Sequence, residues 1–168
     1  MALTQVIGSG IGQVTDIKLG GSGAANTLHD YEEGTWTPQF AASSSNPNVA
    51  LNASGTYTKM GRLVYCTWFI QITSVTSQGS GTLRIGPLPF TLTTDSTGNT
   101  SNSIENGAYF YQATAFGFSS LNTLTGRGIG TDQILITDLN SSGSAITKST
   151  GSLTTGYTMG SYIYLTDS

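Results

Sequence analysis

Charged side chains are scarce in this sequence, where they make up 9% of 168 residues and leave a net charge of −3. Globular proteins usually carry about a quarter. The six lysines and arginines are scattered singly, so they form no basic patch of the kind that nucleic acids require. We therefore expect no nucleic-acid partner. Intrinsic disorder is not favoured either, because it accompanies high net charge and few aromatic residues, and 10% of this chain is aromatic.

Histidine and cysteine are almost missing too: His29 is the one histidine and Cys66 the one cysteine. Any Ser-His-Asp or Cys-His mechanism would have to use His29, which we interpret as a structural or surface residue. One histidine and one cysteine give no zinc-ligand spacing, and a lone cysteine excludes an intrachain disulfide framework. We expect no catalytic residues, no bound metal and no cofactor.

Long apolar runs and the marks of a secretory signal are also missing. No stretch reaches the roughly 20 apolar residues that a membrane-spanning helix needs. The start, residues 1–6, has neither the basic segment nor the apolar core of a signal peptide. These absences predict a protein that does not insert into membranes.

Serine, threonine, glycine and asparagine supply most of what remains. The hydroxyl and amide side chains compete for backbone hydrogen bonds, and glycine costs about 1 kcal/mol per helical position, so the mixture disfavours helices. Short runs of β-branched and aromatic residues alternate with turn clusters roughly every ten residues. The pattern predicts an all-β fold, an antiparallel β-sandwich of jelly-roll-like form.

The clearest predicted strand covers residues 62–73. Its alternate positions place Leu63, Tyr65 and Phe69 on one face, and the opposite face carries Val64, Cys66, Trp68, Ile70 and Ile72. A strand that is apolar on both sides needs cover on both sides, so we expect a core on one side and a second layer or a neighbouring subunit on the other. Tyr65 and Phe69 are therefore the candidate subunit-interface residues.

Other predicted strands lie at residues 35–40, 55–59, 82–85, 91–94, 108–118, 133–139, 145–148 and 162–166. Residues 95–106 are predicted to form a long polar loop. The glycine-rich string 126–130 has neither the spacing of a dinucleotide fingerprint nor a P-loop lysine, and it opens no predicted helix. We interpret it as a turn or bulge.

Residues 1–28 differ from the rest in composition. Glycines crowd them, and their apolar residues follow no sustained heptad, so neither a coiled coil nor collagen is indicated. We expect an extended arm that becomes ordered by packing on other chains, followed by a head domain at residues 29–168. A floppy terminus is the alternative.

Three aromatic residues in a row are the candidate ligand contacts. Tyr109, Phe110 and Tyr111 follow the polar loop and could stack on a sugar, with nearby amides and hydroxyls as hydrogen-bonding partners. The favoured alternative is that they alternate between the core and a subunit interface.

Carboxylates raise the question of glycan cleavage, which needs a facing pair. Glu32 and Glu33 are adjacent, so in a strand they should point to opposite faces. Glu105 and Asp132 lie in predicted loops and could pair only through the tertiary structure.

Three segments of the head resemble a module that recurs in tail-fibre and related structural proteins of bacteriophages. They are YEEGTWTP at 31–38, GTYTKMGRLV at 55–64 and GTLRIGPLPF at 81–90. Their order and spacing are similar to the family pattern, and the resemblance covers a little over a third of the chain. In the module, Trp36 and Pro38 are expected to anchor and end the first strand, Gly61 to permit a turn, and Pro87 and Pro89 to fix an exit loop.

The resemblance implies a virion protein, a homotrimer whose β-domain forms a distal head and whose residues 1–28 bind other virion structural proteins. Such a protein is made in the host cytoplasm and is extracellular after release. It is expected to act as a short tail fibre or fibre tip that contacts a glycan or protein of the host surface.

Two alternatives stay open. Only some thirty residues precede the head, fewer than a typical fibre shaft, which leaves room for an architectural capsid decoration or head-fibre protein without receptor binding. The less favoured alternative is an enzyme that cleaves surface glycan.

Overall fold

The computed structural model describes residues 17–18, 27–28, 30–93, 107–115, 124–139 and 145–167. The described chain is built from β-strands, with one 3-10 turn at Thr150–Ser152. The strands are β1 (Ile17–Lys18), β2 (Thr27–Leu28), β3 (Tyr31–Trp36), β4 (Gln39–Ala42), β5 (Asn48–Met60), β6 (Leu63–Ser77), β7 (Leu83–Gly86), β8 (Ala108–Ala113), β9 (Leu124–Ile129), β10 (Gln133–Leu139), β11 (Ala145–Thr147) and β12 (Gly156–Leu165). Every pairing between them is antiparallel, which confirms the all-β antiparallel class.

One large sheet contains all strands except β1 and β2, which pair with each other. Its order is β3-β5-β6-β12-β8-β9-β10-β7-β4, with β11 on β10. The two edge strands, β3 and β4, are joined through Thr37 and Pro38 alone. Three peptide units span at most about 11 Å, and neighbouring strands lie about 4.8 Å apart, so a flat sheet of this width is impossible. The sheet must curve until its edges approach each other; the jelly-roll-like arrangement stays a prediction.

The core lies on the inner face of this curved sheet. From β6 it takes five side chains that are at most 3% exposed; Tyr162 and Tyr164 of the neighbouring β12 lie beside them, and β7 and β10 add Leu83, Ile85, Ile134 and Ile136. The five are Val64, Cys66, Trp68, Ile70 and Ile72. The alternation predicted for β6 is confirmed, since Leu63 and Tyr65 on its other face are 40% and 41% exposed.

Two segments of the module, Gly34-Thr35-Trp36 and Gly55-Thr56-Tyr57, interlock across β3 and β5. Gly34 is paired with Tyr57 and Gly55 with Trp36, so each glycine faces an aromatic residue. A Cβ on Gly34 would lie 2.6 Å from the Tyr57 ring, and one on Gly55 would meet the Trp36 indole. The glycines are therefore required by the rings that cover them.

The ends of the head meet at the turn between β5 and β6. There Gly61 has a φ of 57°, and its N–H donates to Asp30 O at 2.9 Å where the chain enters β3. At the other end of the head, Thr166 N–H donates to Arg62 O at 2.8 Å, and Arg62 Nη2 contacts Asp167 at 2.6 Å. Asp30 itself is held by the side chain of Lys59.

Residues expected to end strands or form turns lie at such positions in the structure. β3 ends at the buried Trp36, and the buried Pro38 follows. Gly61 forms the turn with a positive φ, and β7 ends at Gly86 before a cis peptide bond to Pro87.

Several strand predictions need correction. Residues 35–40 are not one strand but the end of β3 and the start of β4, separated at Thr37 and Pro38. β5 begins at Asn48 and β12 at Gly156, both earlier than predicted. Residues 91–93 form no strand, and the loop at 95–106 lies outside the described residues.

The glycine-rich string 126–130 belongs largely to a strand, β9, so its interpretation as a turn or bulge was wrong for residues 126–129 and holds only at Gly130. A Cβ on Gly126 would lie 2.8 Å from Ile134 and 3.1 Å from Ala108. Glycine is needed there because neighbouring strands approach closely, and only Gly130 has the positive φ of a turn. Among the described residues there is no helix of the length and apolar character that crossing a bilayer requires.

Candidate functional site

The surface of β3, β5, β6, β12 and β8 that points away from the core is the candidate functional site, and we call it the outer face. The large hydrophobic side chains that are exposed in the described structure all lie on it. They are Tyr31, Met60, Leu63, Tyr65, Tyr109 and Tyr111, with exposed fractions from 40% to 66%. Single exposed hydrophobic residues are common, but a concentration on one face marks an interaction surface.

The end of the outer face nearest the β5–β6 turn is apolar. Although Glu33 and Thr58 belong to the second rung, two neighbouring rungs of the antiparallel ladders bring six apolar side chains together there: Tyr31, Met60, Leu63 and Leu165 on the first rung, and Tyr65 and Ile163 on the second. We call these six residues the apolar patch. Cross-strand neighbours on one face lie about 5 Å apart, so the patch is continuous.

The next rung of the outer face consists of hydroxyl side chains. Thr35, Thr56, Thr67 and Ser161 follow one another across β3, β5, β6 and β12. The Oγ1 atoms of Thr56 and Thr67 are 2.9 Å apart and share a hydrogen bond. A rung of four hydroxyls on four strands presents a row of groups that can each donate or accept.

A groove of about 500 Å³ opens over this rung. Its side chains from the outer face include Thr35, Ser54, Thr56 and Thr67 along the floor, with Phe69, Met159 and Tyr111 beside them, and Trp36 and Trp68 also line it. None of the described residues that line it carries an ionisable group other than the Tyr111 phenol.

The three candidate ligand contacts do not share a face. Tyr109 and Tyr111 are 66% and 61% exposed on the outer face. Phe110 is half-buried on the inner side, where its ring meets Trp68 edge-on at 5.3 Å. The register of β8 against β12 shifts between Met159 and Gly160, which gives Tyr111 its position over the groove.

Tyr111 and Tyr65 are linked through their phenols. Tyr111 Oη lies 2.7 Å from Ser161 Oγ, and the two phenols are hydrogen-bonded to each other. Partial burial and then the bond to Tyr111 raise the pKa of Tyr65 above its usual value. The candidate ligand contact and the candidate interface residue are thus neighbours.

The two candidate interface residues, Tyr65 and Phe69, share the outer face of β6 but occupy different surroundings. Tyr65 lies in the apolar patch. Phe69 is half-buried, stacks on Tyr157 with ring centroids 6.2 Å apart, and lines the groove. Thr67 separates them along the strand.

The carboxylates near the start of the head are engaged with tyrosines. Glu32 and Glu33 lie on opposite faces of β3, as predicted: Tyr57 Oη donates to Glu32 at 2.5 Å, and Tyr31 Oη donates to Glu33. These bonds, first among the causes, raise the pKa of each phenol. Asp132 lies in the turn between β9 and β10.

Other groups considered for chemistry lie apart from the outer face. Cys66 is buried in the core, and burial raises the pKa of its thiol to about 12, which keeps it protonated at neutral pH. His29 and Glu105 fall outside the described residues. Within the described ranges, no three histidine, cysteine, aspartate or glutamate side chains gather as a metal site would need.

The sequence matches no family model, and no curated protein or solved structure shows significant similarity to the chain. The groove is the functional feature that sequence reasoning missed. The signal that could have found it is the repeated Gly-Thr-aromatic triplet, because pairing the two triplets places Thr35 opposite Thr56.

Proposed function

We propose that this chain is a structural protein of a bacteriophage particle, a short trimeric tail fibre or fibre tip that contacts the host surface. The observation that carries the proposal is the apolar patch. A cluster of exposed hydrophobic side chains that is rimmed by polar residues is typical of a protein–protein interaction site. A surface protein with so few charges gains solubility by covering this patch with another subunit.

The position of the patch supports this assembly. Tyr31 and Met60 lie beside Asp30, where residues 1–29 join the head, and Leu165 lies beside the other end of the head. Copies that associate through their patches bring their N-terminal arms together at one end. That arrangement suits residues 1–28 as the segment that binds other virion proteins.

The resemblance to the tail-fibre module supports the family assignment. The segments 31–38 and 55–64 form β3 and the β5–β6 turn, and 81–90 forms β7 with its exit loop. They build the scaffold, while the exposed aromatic residues Tyr109 and Tyr111 lie outside them.

Labelling of intact particles tests the proposal. Gold-conjugated antibody against the purified full chain should bind phage particles at the tail, and the purified protein should coat host cells and compete with adsorption. Absence of the chain from the particle would overturn the whole proposal. Labelling of the capsid, together with no binding to cells, would replace it with the architectural decoration protein.

A further inference from the structure

We infer that the groove over the hydroxyl rung binds a neutral saccharide; this deepens the proposed host contact and rests on it. Three properties of the lining lead to this ligand class: its lack of formal charge, its mixture of hydroxyls with apolar faces, and its place over strands that are mostly paired on both sides.

The lining carries no formal charge, which argues against a charged ligand. Carboxylated or phosphorylated ligands are bound through arginine, lysine or clusters of backbone N–H groups. The described residues that line the groove include no aspartate, glutamate, lysine, arginine or histidine, and the backbone N–H groups of β5, β6 and β12 are used in ladders. A ligand with charges would lose hydration there without gaining a partner.

The side chains match both surfaces of a sugar. Thr35, Thr37 and Ser54 have hydroxyls with no hydrogen-bond partner among the described residues, so they can exchange water for ligand hydroxyls. Phe69 and Tyr111 offer aromatic faces against which the C–H face of a pyranose can pack. A volume of about 500 Å³ lies within the usual range of small-molecule sites, roughly 300–1,000 Å³.

The place of the groove in the sheet argues against a peptide ligand. Extended peptides usually add to a free sheet edge, where unpaired backbone groups give the affinity. Beneath the groove, β5, β6 and β12 are each paired on both sides, and of the strands that line it β3, which contributes Thr35, has a free edge. A ligand over the three paired strands must bind through side chains alone, which a polyhydroxylated molecule can do.

The backbone amide signals of Thr56, Thr67 and Tyr111 give a direct assay, because these residues line the groove on the outer face. The ¹⁵N-labelled full chain is titrated with neutral trisaccharides of hexose and N-acetylhexosamine units and with their sialylated and uronate-containing counterparts. We expect at least one neutral sugar to shift these three amide signals in a saturable way, and the charged sugars to bind no more tightly.

Two variants form a matched pair. Tyr111→Ala should weaken binding of the neutral sugar about tenfold, since one aromatic contact is lost. Tyr109→Ala removes an equally exposed ring of the same strand that does not line the groove, and it should leave the affinity unchanged. Thr67→Val, which removes a floor hydroxyl and keeps the shape, should also weaken binding.

The failure of this inference can be told from the failure of the proposed function. No shift with any neutral sugar at millimolar concentration, or tighter binding of a charged sugar or of an unstructured peptide, would overturn the inference. If the protein still coats host cells and Tyr111→Ala coats them equally well, host contact stands and the groove is not its site. If the unaltered protein does not coat host cells at all, the proposed function itself is contradicted.

Discussion

The phenol of Tyr164 is held inside the core by both backbone groups of a single residue. Tyr164 is 1% exposed, its hydroxyl donates to Phe90 O at 3.2 Å, and it accepts from Phe90 N–H at 3.1 Å. These bonds fasten the segment after β7 to β12. Burial raises the pKa of this phenol above the ordinary value of 10.0.

Tyr164→Phe should therefore destabilise the protein by about 1–3 kcal/mol at pH 7, because it leaves two backbone groups of Phe90 without this partner. Since the unfolded phenol ionises near pH 10 and the folded one higher, the folded state holds its proton more firmly. The stabilisation is complete below pH 10 and is lost as the pH rises further. Urea denaturation of both proteins at pH 7, 9 and 11 should show a difference that shrinks only at pH 11; a constant difference would contradict the assignment.

Lys59 is a second residue whose surroundings explain its burial. Its side chain is 3% exposed, pairs with Asp30, and lies with Nζ 5.2 Å from the centre of the Phe90 ring. Buried lysines need such partners, because an isolated ammonium loses its hydration. The pair fixes Asp30, which has the unusual φ of 101°, at the point where the head begins.

At the scale of elements, the pairing of β3 with β5 depends on the two glycine–aromatic contacts. Gly55→Ala would place a methyl group against the Trp36 indole and 2.6 Å from Thr67 O. Trp36 Nε1–H donates to that same oxygen at 2.9 Å, so the ring cannot move aside without breaking its hydrogen bond.

We expect Gly55→Ala to lower the free energy of unfolding by about 1–3 kcal/mol through overpacking. Gly151→Ala is the matched control, since its Cβ would have Ser149 Oγ at 3.5 Å as its one neighbour within contact range among the described residues. The control should change stability by less than about 0.5 kcal/mol. Equal effects in thermal denaturation would mean that the Trp36 contact does not constrain β5.

The strands differ in how far the sequence predicts them, for physical reasons. β6 was predicted well because its alternation reflects burial on one face, which is a local property. β9 was missed because Gly126 is required by the close approach of the neighbouring strands, which the local sequence does not reveal. The face on which Phe110 lies could not be predicted from the sequence either, since it depends on a register shift of β8 against β12.

At the scale of the whole molecule, the apolar patch predicts self-association. The purified chain should have a mass of about three times 17.5 kDa by light scattering. Tyr65→Lys places a charge in the centre of the patch and should yield the monomer. Gln71→Lys, on the same face of β6 but outside the patch, should leave the mass unchanged.

A stable monomer of the unaltered chain would refute this prediction. A trimer that withstands Tyr65→Lys would move the interface to another surface. The mass measured for Gln71→Lys separates a specific effect of Tyr65 from a general effect of added charge on β6.

The class of the fold was predictable from composition and period, whereas the site was not. The groove takes side chains from β3, β5, β6, β8 and β12, and these residues meet only through cross-strand register. Register between strands that are distant in sequence is set by the packed core as a whole. Thr35 and Tyr111, for example, carry no local signal that they line one site.

Asp30 and Thr166 are hydrogen-bonded to two consecutive residues, Gly61 and Arg62. The chain therefore enters and leaves the head at neighbouring points. A domain whose ends adjoin can be inserted between neighbouring residues of a host protein without stretching either partner. By the same geometry, a short linker could join residues 166 and 30 while the chain is reopened at the exposed Gly130 turn. Each strand would keep its neighbours in such a permuted protein, so the order of the segments along the chain is separable from the shape they form.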